Sequence, residues 1–275
     1  MKVPSITAAE EAVRAGMEVV ADWRVSGRDL ETVQVGDTPG NEFLTAVDHA
    51  AEEAVRAVLH RLSPGIPVLG ESAAGGELVR SSVWVVDPVD GTTNLVNGGS
   101  FVSVTLALLE KGQPILGVTG CPFTGEIWTA QTGHGAHDAH GRRLDIRQAA
   151  RGERIALDPQ VPSPAFAPIW SGAVERLSST FREVTPLRSL ALEMARVANG
   201  DFDGFVALGQ PGGSEVADFA AGILLIREAG GDVVGLDGRR DAWTSPVVLA
   251  GSPKMLKALC ECMDGFSYER FAVPR

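Results

Sequence analysis

Cysteine is scarce in this chain: Cys121, Cys260 and Cys262 are all it has. An odd, sparse set with no secretory context fits reduced thiols better than a disulfide framework. Cys260 and Cys262 stand one residue apart, but no second Cys or His pair lies near them, so they do not read as half of a zinc site. Long apolar runs are missing as well. No uninterrupted stretch approaches the ~18 residues of a membrane-spanning helix. The N-terminus passes from Met1-Lys2-Val3-Pro4-Ser5 straight into amphipathic spacing, without the apolar stretch of a signal peptide. The expectation is a cytoplasmic protein with no membrane partner.

Basic residues are in deficit, 24 Lys and Arg against 35 Asp and Glu, for a net charge of −11. Non-specific nucleic-acid affinity comes from neutralising phosphates with Lys and Arg, so no nucleic-acid partner is expected. A small anionic ligand is not excluded, because carboxylates gathered around metal ions look acidic by formal count while the loaded site is much less negative. There is no Gly-x-Gly-x-x-Gly after a strand, no Gly-Lys-Ser/Thr loop and no Gly-x-Ser-x-Gly elbow. Dinucleotide-binding, NTP-hydrolase and serine-hydrolase chemistry therefore have no support.

What is present is ample core material, 44% hydrophobic residues, in 275 residues rich in turn-formers, with 32 Gly and 16 Pro. That is enough for one large domain or two closely joined ones. Apolar residues from Ile6 to Ala21 recur at three- and four-residue steps, with Thr7 and Glu10 spaced as a capping box, and predict a helix over about 7–23. A second amphipathic run from Phe43 to Leu59 carries Asp48 near its apolar side and stops before Pro64-Gly65. Short β-rich runs follow at 66–69, 82–86, 101–109, 115–121 and 126–130, and read as a meander. Beyond Gly141-Arg142-Arg143-Leu144 strands and helices alternate, with helical spacing at 190–198 and 215–228. A boundary near residue 145 is expected, between halves 1–145 and 146–275. His134, His137 and His140 recur every third residue, but the glycines around them indicate a hairpin loop rather than a metal site.

The chemistry concentrates in three segments. In Trp84-Val85-Val86-Asp87-Pro88-Val89-Asp90-Gly91-Thr92-Thr93-Asn94 an apolar strand ends in two carboxylates three residues apart. Hard cations such as Mg²⁺ take oxygen ligands, and Asp87 and Asp90 could converge on neighbouring ions. Gly91 lets a phosphate approach the backbone, and N–H groups of a helical turn begun at Gly91-Thr92-Thr93 would hold its oxygens. The competing interpretation is an Asx-type turn with solvated carboxylates. Val68-Leu69-Gly70-Glu71-Ser72 also closes an apolar run with an acid, and Glu215-Val216-Ala217-Asp218 sets an acid at the start of an apolar helix. Each of these two, by itself, is equally a cap or an exposed strand end.

Taken together, Gly70-Glu71, Asp87-Pro88-Val89-Asp90-Gly91-Thr92-Thr93-Asn94 and Asp218-x-Ala220-Ala221-Gly222 resemble the inositol monophosphatase family. Thr45-Ala46-Val47-Asp48, Gly117 to Pro122, Gly141 to Leu144 and Ala198-Asn199-Gly200-x-x-Asp203-Gly204-Phe205 extend the resemblance over nearly the whole chain. It implies a layered αβαβα sandwich, of α+β or α/β class, commonly found as a homodimer. It also implies a Mg²⁺-dependent phosphatase acting on a phosphate monoester of a small metabolite. Two or three Mg²⁺ ions would be bound by Glu71, Asp87, the Val89 carbonyl, Asp90 and Asp218. The nucleophilic water would be activated by metal, with Glu71, and by the pair Thr92 and Asp48; Gly91 and Thr92 would hold the phosphate.

The sequence departs from the family pattern at Ser72, where a second acid is frequent, at Ala217, where Trp is usual, and at Pro211, where true inositol monophosphatases carry an acid contacting the inositol ring. The family's usual Lys in the loop before the first acid is not evident around Asp37 and Thr38. Arg188, Gln210, Asp90 and Asp218 are the expected substrate contacts. The substrate class implied is a sugar, polyol or inositol phosphate, with nucleotide, nucleoside or histidinol phosphates as the alternative. A covalent Asp-x-Asp phosphatase is disfavoured, because the acids are three apart and two further acids lie at 71 and 218. A different kind of protein, a non-catalytic regulator that binds a phosphorylated ligand, would have no need of the Thr92–Asp48 pair.

Overall fold

The computed structural model describes residues 4–26, 32–34, 43–70, 82–149, 153–159, 167–209, 216–240 and 245–264. The elements are α1 (Ile6–Ser26), β1 (Thr32–Gln34), β2 (Phe43–Thr45), α2 (Ala46–Leu62), β3 (Val68–Leu69), β4 (Ser82–Asp90), α3 (Thr92–Val96), β5 (Ser103–Glu110), β6 (Gln113–Gly120), β7 (Ile127–Gln131) and β8 (Gly135–Asp138). They continue as α4 (Ile146–Ala149), β9 (Arg154–Pro159), α5 (Ala167–Thr180), β10 (Glu183–Pro186), α6 (Leu190–Asn199), β11 (Gly204–Leu208), α7 (Val216–Glu228), β12 (Asp232–Gly235), β13 (Val247–Gly251) and α8 (Pro253–Cys262). None of the described helices is long and apolar enough to cross a membrane.

Five layers follow from which faces are apolar. Ala9, Val13 and Val20 of α1 and Val47, Ala51 and Val55 of α2 pack on Trp84, Val86, Leu106 and Val118, one face of a six-stranded sheet ordered β3-β4-β5-β6-β7-β8. From β4 to β8 this sheet is the antiparallel meander expected from the spacing, while β3 joins β4 in parallel. Its other face, Val83, Val85, Ala107 and Leu109, meets α7 through Val216, Ala217, Ala220 and Ala221. The approach is close: a Cβ on Gly117 would stand 2.9 Å from the Ala221 Cα, so only glycine lets α7 lie this near to β6. With α6, α7 also covers Ala156, Phe205, Ala207, Val248 and Ala250 of a second sheet, ordered β10-β9-β11-β13-β12. The far face of that sheet, Ile155, Leu157, Val206 and Leu249, is closed by α5 and α8 through Ala173, Leu177, Met255 and Leu259. Alternate residues of β9 and β11 thus enter different cores, as a period of two requires. The order is αβαβα, as the family resemblance implies.

Several local expectations need correcting. Helix α1 starts at Ile6, and the Ala8 N–H reaches the Ser5 hydroxyl at 3.3 Å, so the cap is Ser5 and not Thr7. Residues Phe43–Thr45 form a short strand paired with Thr32–Gln34, and α2 begins only at Ala46. Strand β4 does not stop at Val86 but runs to Asp90. His134 and His140 are exposed in the turns flanking β8, and among the described residues no three His, Cys, Asp or Glu side chains converge as a ready metal site. All three cysteines are free, Cys121 being buried.

Candidate active site at the end of β4

Residues three apart on a regular strand point to opposite faces. Asp87 pairs with Thr105 and Asp90 with Ser103, so three residues of β4 are set against two of β5. This is a β-bulge at Pro88-Val89, and its extra residue turns Asp90 back to the face carrying Val83, Val85 and Asp87. That face looks toward α6 and α7, and Asp218 lies in the first turn of α7. Val89 points the other way, into the core with Trp84 and Val86. Asp87 and Asp90 are both buried. The Asp87 carboxylate accepts the Val89 N–H at 3.0 Å, the Asx-type turn foreseen as the competing interpretation, here formed inside the protein rather than in solvent.

Asp90 is held by several donors. Its Oδ2 accepts the Ser189 hydroxyl at 2.6 Å, the Ser103 hydroxyl at 2.7 Å and the Leu192 N–H at 3.2 Å. Burial pushes the carboxyl upward from its usual range, and these donors work against that shift. Beneath the loop 187–189 two more acids are enclosed. Asp158 follows Leu157, whose carbonyl accepts the Leu187 N–H at 3.2 Å, and burial together with the Asp90 charge pushes its carboxyl up to about 7, against the pull of Arg188. Glu193 is fully buried in α6; burial and then the Asp158 charge raise it well above the carboxylate range. Its Oε1 accepts the Ser189 N–H at 3.4 Å, and its Oε2 has no hydrogen-bond partner.

On the other side, buried Asp48 projects from the first turn of α2, and its Oδ1 stands 3.4 Å from the Thr92 hydroxyl. That hydroxyl is 2.8 Å from the Val89 carbonyl. It carries one hydrogen, so the shorter contact is the donated bond, and the Asp48 contact is the looser one. Gly91, at φ 90°, precedes α3, whose first N–H groups receive no side-chain cap.

Asp48, Asp87, Asp90, Thr92 and Asp218 are therefore carried by α2, the end of β4, the start of α3 and the first turn of α7. Arg188 sits in the loop that delivers Ser189 to Asp90, and its backbone is left-handed at φ 60°. Glu71, Ser72, Gln210, Pro211 and Glu215 lie outside the described residues, as do Asp37 and Thr38. Ser103, Asp158 and Glu193 were not anticipated from the sequence. Asp158 had a signal: Ile155-Ala156-Leu157-Asp158 closes an apolar strand with an acid, just as Val85-Val86-Asp87 does. The oxygen-only donor set suits a hard cation. It is an open set, since among the described residues no three acids close around one point.

The sequence pattern of the Inositol monophosphatase family matches residues 2–263. The inositol-1-monophosphatase of Mesorhizobium japonicum is 32% identical over 258 residues, covering 92% of this chain and 93% of that protein. The Nus factor SuhB of Escherichia coli strain K12 is 32% identical over 259 residues, 93% of this chain and 94% of that protein. Among solved structures, the extragenic suppressor protein suhB of Bartonella henselae superposes with a TM-score of 0.82 at 25% identity, covering 94% of this chain and 98% of that one. With five layers in the same order and a match over nearly its full length, the chain belongs to the inositol monophosphatase family.

Proposed function

We propose that this chain hydrolyses a phosphate monoester of a small metabolite with Mg²⁺ and a water nucleophile. The observation that carries the reading is the bulge in β4, which turns the buried acids Asp87 and Asp90 to one face of the sheet. Asp87, Asp90, Asp218, the Val89 carbonyl and Glu71 would hold the ions. When bound, Mg²⁺ lowers the pKa of a water toward neutrality and offsets charge on the phosphoryl group.

The chain's own residues do the rest. The Thr92 hydroxyl, with its hydrogen on the Val89 carbonyl, would have lone pairs with which to orient a water, and the Asp48 carboxylate beside it would take that water's proton. The uncapped N–H groups after Gly91 would bind phosphate oxygens. Asp90, Asp218, Arg188 and Gln210 would line the side on which the alcohol departs. No covalent intermediate is required, because phosphoryl transfer depends mainly on positioning and electrostatics.

Sugar, polyol and inositol phosphates are the substrates to try first, with nucleotide and histidinol phosphates beside them. Residues 1–145 and 146–275 serve as two halves of one enzyme, the second contributing Asp218 and Ser189. A homodimer is the working oligomer, to be checked by sedimentation. The experiment is phosphate release from that panel, with Mg²⁺ and with chelator, for the wild type and Asp90→Asn. Turnover that requires Mg²⁺ and is lost in the variant supports the proposal. Mg²⁺ binding without turnover of any substrate would replace it with a phospholigand-binding regulator, an outcome to which the Nus factor name of one relative gives weight.

A further inference from the structure

Asn94 ends the acid-bearing motif, yet no step of the proposed chemistry uses it. Its side-chain amide nitrogen donates to three main-chain carbonyls: Leu187 at 2.7 Å, Phe101 at 2.8 Å and Arg188 at 3.2 Å. The first and third belong to a loop 93 and 94 residues away, the loop that carries Ser189. An amide has two hydrogens, so one is shared, and a single side chain binds three main-chain carbonyls. Where that loop meets Gly91 there is no spare room. A Cβ on Gly91 would lie 3.0 Å from the Ser189 Cβ and 3.2 Å from the Arg188 carbonyl. Arg188 is held at φ 60°, one of two non-glycine residues with positive φ among the described residues. Such a backbone is strained for a residue with a side chain and persists only where its surroundings enforce it.

We infer that Asn94 is a positioning residue: it pins the loop 187–189, with Arg188 held left-handed, against the start of α3, and thereby sets the Ser189 hydroxyl on Asp90. The chain of contacts is direct. Asn94 holds the carbonyls of Leu187 and Arg188, the next residue is Ser189, and Ser189 supplies the shortest bond that Asp90 accepts. With its Oδ2 bound by Ser189, Ser103 and Leu192, Asp90 has its orientation fixed. Asn94 acts on the acid without touching it.

The inference rests on Asp90 being a Mg²⁺ ligand, and the test separates the two ideas. Mg²⁺ affinity is measured by titration calorimetry on the wild type, Asn94→Ala, Ser189→Ala and the double variant, with circular dichroism to show that each is folded. Asn94→Ala is expected to weaken Mg²⁺ binding about tenfold, Ser189→Ala by a similar factor, and the pair by little more than the larger single effect, because both remove the same link. Asn94→Ser, which keeps one donor, is expected to fall between wild type and Ala, and it replaces Asn94→Ala in the cycle if that variant does not fold. Mg²⁺ affinity within twofold of wild type in a folded Asn94 variant would overturn the inference, as would single effects that multiply in the double variant. A wild type that binds no Mg²⁺ overturns the metal reading first, and this inference with it, before any variant is compared.

Discussion

The Ser189 hydroxyl donates to Asp90 Oδ2 at 2.6 Å across 99 residues of sequence, joining the motif at the end of β4 to the loop before α6. Hydrogen bonds to a charged group are worth about 1.5–3 kcal/mol. Ser189→Ala is therefore expected to lower kcat/KM for phosphate release by about 10- to 100-fold, and Ser189→Thr, which keeps the hydroxyl, to restore most of it. Equal activity of the Ala and Thr variants would show that the hydroxyl does not matter.

The Asp48 carboxylate and the Thr92 hydroxyl are proposed to act on the water, the phosphate contact of Thr92 being its main-chain N–H, which a side-chain substitution leaves in place. Removing a group of this kind lowers kcat and leaves KM nearly unchanged when it acts only in the transition state. Asp48→Asn and Thr92→Ala should each reduce kcat by roughly 10²–10⁴-fold, the usual range for a positioned acid or base. Steady-state kinetics decide this, and a rise in KM at constant kcat would move both residues to the substrate.

Gly91 combines φ 90° with a closed environment, its missing Cβ facing the Phe101 carbonyl and the Ser189 side chain, each at 3.0 Å. Gly91→Ala should cost about 1–3 kcal/mol of backbone strain and lower the thermal midpoint by several degrees. It should also lower activity, because the added methyl pushes apart the phosphate turn and the Ser189 loop. A variant with wild-type Tm would show that the loop yields easily.

Stability should depend on pH through Asp158. Its carboxyl titrates near 3.8 when unfolded and at about 7 when folded, chiefly because it is buried and then because Asp90 is near. Between those values the folded state keeps a proton that the unfolded state releases, so stability falls as pH rises through the window and levels off above it. Glu193, also raised by burial, acts in the same direction. In the presence of chelator, Tm of the wild type should decline from pH 4 to 7, and Asp158→Asn, neutral throughout, should flatten that decline. An identical slope in the variant would remove Asp158 as its source.

Much of the candidate site could be read from the sequence because its residues are local: Asp87, Asp90, Gly91 and Thr92 occupy one turn, and an acid closing an apolar strand is visible without a fold. The meander was legible for the same reason, since alternation and turn residues mark each hairpin. Other features are set by tertiary contacts. The bulge at Pro88-Val89 breaks the period of two, so a period-based reading ended the strand at Val86 and could not tell on which face Asp90 would lie. Nothing near Ser103 in the sequence announces a partner thirteen residues away. Glu193 falls within an amphipathic helix, where its acid looks like a solvated side chain until a second sheet covers it. Ser5, and not Thr7, is the α1 cap because two residues of helix more or less change little in the apolar spacing.

The donors to Asp90 Oδ2 all lie downstream of it, Ser103 thirteen residues on and Ser189 and Leu192 about a hundred residues later. During synthesis the first sheet is complete once β8 has emerged, yet Asp90 at that stage has only Ser103 to hold it. A ribosome-bound chain ending before α6 would thus carry a finished sheet with an unset acid. Arrested nascent chains of increasing length should show cation binding appear abruptly, once Ser189, Leu192 and Asp218 of α7 have all cleared the exit tunnel, rather than grow with the length of folded sheet.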